Sequence, residues 1–312
     1  MPELQKVAYV FPGQGSQKVG MGRDLYDSNE AARAVFQEAD KTLGFAISKL
    51  CFEGPEEELR KTINAQPALV VMSLACYQAA ISSVDQTKIQ KPVYLAGHSL
   101  GEYTALAIAG VLDYATTIFL ARERGRLMFE AGQKTPGTMA AILSLDEATL
   151  QSVCQESNTW LANINCPGQL VISGAKENVD KAMVMAKAKG ALRAIPLQVS
   201  GAFHTPLMQP AADGLAATIN RLEFKDPAVP IVANTSAQVL KSAADIKEEL
   251  LQQLCKSVQW QRSVENMINL GVTTILEIGA GNALTGLIKR TSKTVKTLNI
   301  GTAAELGNIL LA

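Results

Sequence analysis

Gly97-x-Ser99-x-Gly101, lying between a strand-like run and a helix, has the spacing of a nucleophile elbow. The flanking glycines let the backbone turn sharply and keep bulk away. Ser99 then stands at a helix N-terminus, where free N–H groups and the helix dipole favour negative charge. Leu100, next in the chain, can turn its N–H toward an oxyanion. The same five residues could form a purely structural turn, but the strand–turn–helix setting favours the catalytic one. A serine hydroxyl is a poor nucleophile until a base takes its proton, and the chain has two histidines, His98 and His204. His98 adjoins Ser99, so on a tight elbow its side chain points away and is expected to pack or hydrogen-bond. His204 follows a strand and precedes the helix start Thr205-Pro206, which places it on the same sheet edge as Ser99 and makes it the expected base.

A third group stands out in Arg122-Glu123-Arg124-Gly125-Arg126. On a helix, neighbours lie at i±3 and i±4. Arg126 has Glu123 and Glu130 there, whereas Arg124 has Leu120, Ala121, Leu127 and Met128. A guanidinium on an apolar face needs an anion from elsewhere, either a distant acid or a substrate carboxylate that its planar fork can hold bidentately. Gly13-Gln14-Gly15 fails the dinucleotide fingerprint at Lys18 and the P-loop at Met21; the loop could supply a second backbone N–H to an oxyanion. Gly279-Ala280-Gly281 likewise fails the fingerprint, at Leu284.

The elements that must position these groups alternate. Strands are predicted at Lys6–Phe11 and Pro92–Ala96, and a helix at Glu102–Ala109. Pro55 precedes a helix start, and Gln66-Pro67 opens an apolar helix. Asp113 caps a long helix that Gly132 stops. From Thr138 to Val199 the order becomes βαββαβ: strands Thr138–Ser144, Trp160–Asn165, Gln169–Ser173 and Leu192–Val199, with helices Asp146–Ser157 and Glu177–Lys189. That is the signature of a ferredoxin-like unit, read as an insertion at 134–199 in a large α/β subdomain of 1–133 and 200–312. Alternation resumes with strands Val229–Asn234, Thr273–Ile278 and Val295–Ile300 and helices from Thr205-Pro206, over Ile246–Cys255 and through Lys289-Arg290. The pattern implies a parallel sheet with ligands at the carboxyl ends of its strands.

Composition narrows the field. Across 312 residues, 29 Lys+Arg balance 29 Asp+Glu, which argues against nucleic acid, whose phosphates demand a basic excess. The longest apolar stretch, Ala68–Ile81, is too short and too interrupted for a bilayer span of about 20 residues and reads as a buried helix. Met1–Lys6 lacks the pattern of an export signal. Five widely spaced cysteines without a CxxC pair read as reduced thiols of a cytoplasmic protein and not as a zinc cluster.

These pieces together resemble the malonyl-CoA:acyl carrier protein transacylases over nearly the whole chain, from Phe11-Pro12-Gly13-Gln14-Gly15-Ser16-Gln17 to Glu277-Ile278-Gly279-Ala280-Gly281. Between them lie Gly97-His98-Ser99-Leu100-Gly101-Glu102-Tyr103, Arg124-Gly125, Asn165-Cys166-Pro167-Gly168-Gln169, Ser200-Gly201-Ala202-Phe203-His204 and Val258-Gln259-Trp260. The resemblance implies a hydrolase-like large subdomain with a ferredoxin-like small one. It implies ping-pong transfer of malonyl from malonyl-CoA to the phosphopantetheine thiol of holo-acyl carrier protein, without a metal or redox cofactor. By position, Ser99 is the nucleophile, His204 its base, Arg124 the carboxylate clamp, and the N–H groups of Gln14 and Leu100 the oxyanion hole. A main-chain carbonyl, matched to Gln259, orients the histidine. Phe203 and Asn165 belong to the substrate pocket, Phe203 in the manner of the malonyl-selective members; Ala202 and Ala280 stand where many relatives have Pro. An acidic carrier calls for local basic residues, with Lys289 and Arg290 as candidates. Nothing demands more than a monomer. Two rivals share the motifs: a serine hydrolase that releases free acid, and a non-catalytic carrier-docking protein.

Overall fold

The structure, a computed structural model, describes residues 6–312; the reading of Met1–Gln5 as lacking an export signal lies outside them. Its strands are β1 (Val7–Phe11), β2 (Tyr94–Gly97), β3 (Thr138–Leu143), β4 (Trp160–Cys166), β5 (Gln169–Gly174), β6 (Arg193–Pro196), β7 (Ile231–Val232), β8 (Val239–Leu240), β9 (Thr274–Ile278) and β10 (Lys296–Ile300). One sheet has the order β10-β9-β1-β2-β7-β8. It is parallel except for β8, which turns back on β7. Every residue of β1 and β9 is buried, as expected of strands covered by helices on both faces. The other sheet, β4-β5-β3-β6, is antiparallel and carries the helices Glu147–Ser157 and Lys176–Ala188. This is the order of a βαββαβ unit inserted in an α/β fold.

Four local expectations need correction. The apolar helix starts at Thr62, not at Gln66-Pro67, and runs to Ser82 with Pro67 inside it. Proline cannot donate to the carbonyl four residues back, which is that of Ile63. Arg122 takes that acceptor with a 2.7 Å hydrogen bond and adds one of 2.6 Å to Asn64 Oδ1. By length and composition this helix could cross a membrane, but its most apolar window is 78% buried inside the protein. Asp113 caps the next long helix as expected, accepting from the Thr116 N–H at 2.7 Å, yet Gly132 does not end it. The helix runs from Tyr114 to Lys134, and Gly132 is small because a Cβ would overlap the Ser200 carbonyl oxygen. The strand predicted over Leu192–Val199 shortens to β6, since beyond Pro196 the Val199 N–H bonds back to the Leu197 carbonyl at 3.0 Å.

The strand predicted over Val229–Asn234 likewise shrinks to β7. Ala233 starts the turn into β8 through its N–H to the Gln238 carbonyl, and Asn234 is directed elsewhere. The helix Trp260–Asn269 was not anticipated.

The helix Gly101–Ile108 sits directly on the sheet. A Cβ on Gly101 would overlap the Phe11 carbonyl, and one on Gly97 would overlap Gly101 itself. These are backbone contacts with no side chain to move aside. Gly101→Ala is therefore expected to cost about 3 kcal/mol or more, read as a lowered midpoint in urea unfolding.

Candidate active site

β2 delivers Ser99 into a left-handed turn, with φ of 51°, a conformation that costs a non-glycine residue on the order of 1 kcal/mol or more. The surroundings hold it there. Asn234 Oδ1 accepts the Ser99 N–H at 2.7 Å, and Asn234 Nδ2 donates to the Gly97 carbonyl at 2.8 Å. One carboxamide thus staples both limbs of the elbow. The Ser99 carbonyl accepts from Gln253 Nε2 at 3.0 Å.

His204 also has a positive φ, 59°, and its Nε2 lies 2.8 Å from Ser99 Oγ. Its Nδ1 lies 2.9 Å from the main-chain carbonyl of Gln253. A carbonyl only accepts, so Nδ1 carries the proton and Nε2 is free to receive one. The expectation that Gln259 supplies this carbonyl is corrected here. Gln259 is the N-cap of Trp260–Asn269, and its carbonyl accepts the Ser263 N–H and Oγ–H. Gln253 is the last residue of Ala243–Gln253, where helical carbonyls lack partners within the helix. Burial, and after it the Arg124 charge, push the His204 pKa down to about 3, so the imidazole is neutral near neutral pH.

Arg124 projects from the helix Tyr114–Lys134 and is 1% exposed. Its guanidinium donates to Gln66 Oε1 at 2.8 Å, Gln253 Oε1 at 2.9 Å and Ser99 Oγ at 3.1 Å, and lies 5.3 Å over the Tyr103 ring. It makes no ion pair with any described residue, and its buried Nε has no partner. Arg126 pairs with Glu123 and Glu130, each at 2.6 Å. Of the two alternatives the sequence left open for Arg124, the distant acid is not in contact with it.

A cavity of about 390 Å³ opens over these groups and is lined by Gln14, Ser99, Arg124, Asn165, Phe203 and His204, among others. The Gly13-Gln14-Gly15 loop presses onto the elbow, since a Cβ on Gly13 would overlap the His98 carbonyl. Among the described residues, the backbone N–H groups of Gln14 and Leu100 have no hydrogen-bond partner; Gln14 is steadied by its side chain on Thr62 Oγ1 at 3.1 Å. His98 points away from Ser99, meets Asn165 Oδ1 at 2.8 Å and packs against the edge of Trp260. Asn165 sits on β4, so this bond ties the inserted sheet to the elbow.

Four neighbours escaped the sequence reading: Asn234, Gln253, Gln66 and Glu102. Glu102 is 1% exposed and accepts from the Asn234 N–H at 3.0 Å and from Gln253 Nε2. Burial, and then the nearby Glu249, push its carboxyl well above the usual range. Its signal was available: it is the one charge in the otherwise uncharged helix Gly101–Ile108. The three amides left no comparable trace, because uncharged polar residues are common at turns and helix ends.

Nucleophile, base, free N–H pair and uncompensated guanidinium together suit attack on an acyl group that carries a carboxylate. Comparison with known proteins agrees. The model of the acyl transferase domain family matches residues 8–309. The malonyl CoA-acyl carrier protein transacylase of Bacillus subtilis (strain 168) is 46% identical over 302 residues, covering 95% of this chain and 94% of that protein. The protein of that name in Escherichia coli (strain K12) is 43% identical over 291 residues, covering 92% and 93%. A crystal structure of an acyl carrier protein S-malonyltransferase from Vibrio cholerae superposes with a TM-score of 0.92 at 40% identity, covering 98% of this chain and 100% of the other. A malonyl-transacylase in complex with its type II PKS acyl-carrier protein superposes with a TM-score of 0.94 at 41% identity, covering 98% and 99%. The chain belongs to the malonyl-CoA:acyl carrier protein transacylase family.

Proposed function

We propose that the protein transfers the malonyl group from malonyl-CoA to the phosphopantetheine thiol of holo-acyl carrier protein, through a malonyl ester on Ser99, for fatty-acid or polyketide synthesis. The observation that carries this reading is Arg124: a buried guanidinium without an acid, hydrogen-bonded to the oxygen that would carry the acyl group.

Ser99 Oγ attacks the thioester carbonyl as His204 Nε2 takes its proton, and the N–H groups of Gln14 and Leu100 receive the oxyanion. Collapse expels the CoA thiolate, which takes the proton from His204. In the second half the carrier thiol gives its proton to His204 and attacks the ester, and the Ser99 alkoxide leaves with that proton. The Gln253 carbonyl orients the imidazole, and Arg124 holds the carboxylate throughout. The balance closes without a metal or redox group. The proposal also takes the protein as a cytoplasmic monomer, and the five free thiols suit that compartment.

Incubation with malonyl-CoA and holo-carrier should yield malonyl-carrier with ping-pong kinetics, read by intact-mass spectrometry. Free malonate in place of malonyl-carrier would assign a hydrolase instead. Lys289 and Arg290 are exposed in the last turn of Ala283–Thr291. We assign them to carrier docking. Reversing both to Glu should raise KM for the carrier about tenfold or more while KM for malonyl-CoA stays unchanged.

The depressed pKa of His204 sets a pH expectation. In the free enzyme the base stays unprotonated well below the ordinary histidine value of about 6.5, so the acid limb of kcat/KM should fall below that value. Removing the Arg124 charge should move the limb upward. For stability the sign is the same: between about 3 and 6.5 the unfolded chain binds this proton and the native one does not, so stability falls as pH drops through that window.

A further inference from the structure

Arg124 and Glu102 are a buried guanidinium and a buried carboxyl that do not touch, although one residue touches both. Gln253 turns its Nε2 to the Glu102 carboxylate and the Ser99 carbonyl, and its Oε1 to Arg124. A carbonyl only accepts, so the carboxamide has one workable orientation. It stands between the guanidinium and the carboxyl as a spacer. On the other side of the guanidinium, Gln66, itself fully buried, presents Oε1 to Arg124 and turns Nε2 to the Met128 sulfur at 3.2 Å. Glutamate differs from glutamine here by little more than its charge.

We propose that Gln66 and Gln253 determine the preference for a carboxylated acyl group by gripping Arg124 through neutral oxygens. The grip orients the guanidinium but leaves its charge uncompensated until a substrate carboxylate arrives. This rests on the assignment of Arg124 as the carboxylate clamp. A carboxylate at either position would form a charge-assisted pair with the fork and compete with the substrate for it. The same neutrality disfavours an acetyl group, whose methyl would leave a buried cation unpaired. Gln66 and Gln253 are thus specificity residues that act through Arg124, and Glu102 is held one carboxamide away so that it does not occupy the clamp.

The test compares Gln66→Glu with Gln66→Leu, measuring kcat/KM for acyl-Ser99 formation from malonyl-CoA and from acetyl-CoA. Glutamate keeps the shape and the hydrogen bond to Arg124, gives up the one to the Met128 sulfur and adds charge; leucine removes both hydrogen bonds and adds none. A merely structural Gln66 predicts that leucine is the more harmful with both donors. We expect the malonyl-to-acetyl ratio to fall about 100-fold or more in Gln66→Glu, mainly through KM for malonyl-CoA, and less than about tenfold in Gln66→Leu. The paired exchange Glu102→Gln with Gln253→Glu places the acid directly against Arg124 at constant composition and should lower the ratio in the same way. A wild-type ratio in Gln66→Glu, or a larger fall in Gln66→Leu, overturns the proposal. If Gln66→Glu shows no cooperative thermal transition, the paired exchange decides: a lowered ratio supports the proposal, and an unchanged one overturns it. Arg124→Ala separates the two levels. Equal loss with both donors removes the clamp assignment itself, whereas a selective loss beside an unaffected Gln66→Glu removes the neutral grip alone.

Discussion

Ser99→Ala is expected to abolish the malonyl adduct seen by intact-mass spectrometry and to lower transfer to the carrier by about 10⁴-fold or more. Ser99 Oγ meets both His204 Nε2, at 2.8 Å, and the Arg124 guanidinium, at 3.1 Å. In the proposed mechanism the imidazole accepts its proton while the guanidinium holds the substrate carboxylate. Alanine removes the bond-forming atom and leaves Asn234 and Gln253 on the elbow backbone, so the fold should persist. The mutant should melt cooperatively near the wild-type temperature, which separates lost chemistry from lost structure. A malonyl adduct of undiminished intensity on Ser99→Ala would refute the nucleophile assignment.

Arg124→Ala is expected to divide the donors. Truncating one partner of a buried, hydrogen-bonded charge pair costs about 2–5 kcal/mol, so malonyl loading should fall by about 30- to 5,000-fold. Acetyl loading should fall far less or rise, because the methyl no longer faces a buried cation. Two secondary effects accompany the change. Gln66 and Gln253 each lose a charged donor, which lowers stability. The His204 pKa rises toward its ordinary value, since the Arg124 charge is the second cause of its depression after burial. Donor selectivity is measured by competition between malonyl-CoA and acetyl-CoA, and proportionate loss of both would exclude a clamp at this position.

The residues to which we assign the reaction were legible because their chemistry restricts the choice. With two histidines in the chain, a base for Ser99 had one good candidate. Arg124 was visible from the missing acids at i±3 and i±4, a purely local feature. Legible for the same reason were the alternation of β1, β2, β9 and β10 with helices and the βαββαβ order of the insertion, since hydrophobic period and turn residues are written along the chain. Gly132 and Pro67 were misread because each ordinarily marks a helix end, and each is accommodated by a partner far away in sequence: the Ser200 backbone leaves no room for a Cβ, and Arg122 takes the carbonyl that Pro67 leaves free.

Gln259 was misassigned for a related reason. Family position placed a main-chain carbonyl near 259, yet any residue can supply a carbonyl, so its side chain gives no signal. Which carbonyl is free depends on where helices end in space: Gln253 closes one helix and Gln259 opens the next.

By itself the sequence singled out Ser99, His204 and Arg124, which the structure brings together, and the class of fold that could gather them, because residue type and local spacing are intrinsic to the chain. The tertiary structure alone decided how those groups are held and charged. Asn234 staples the elbow, Gln253 touches base, clamp and nucleophile backbone at once, and Gln66 meets Arg124 from 58 positions away. Such contacts made by neutral amide residues arise from long-range packing, and no local periodicity encodes them.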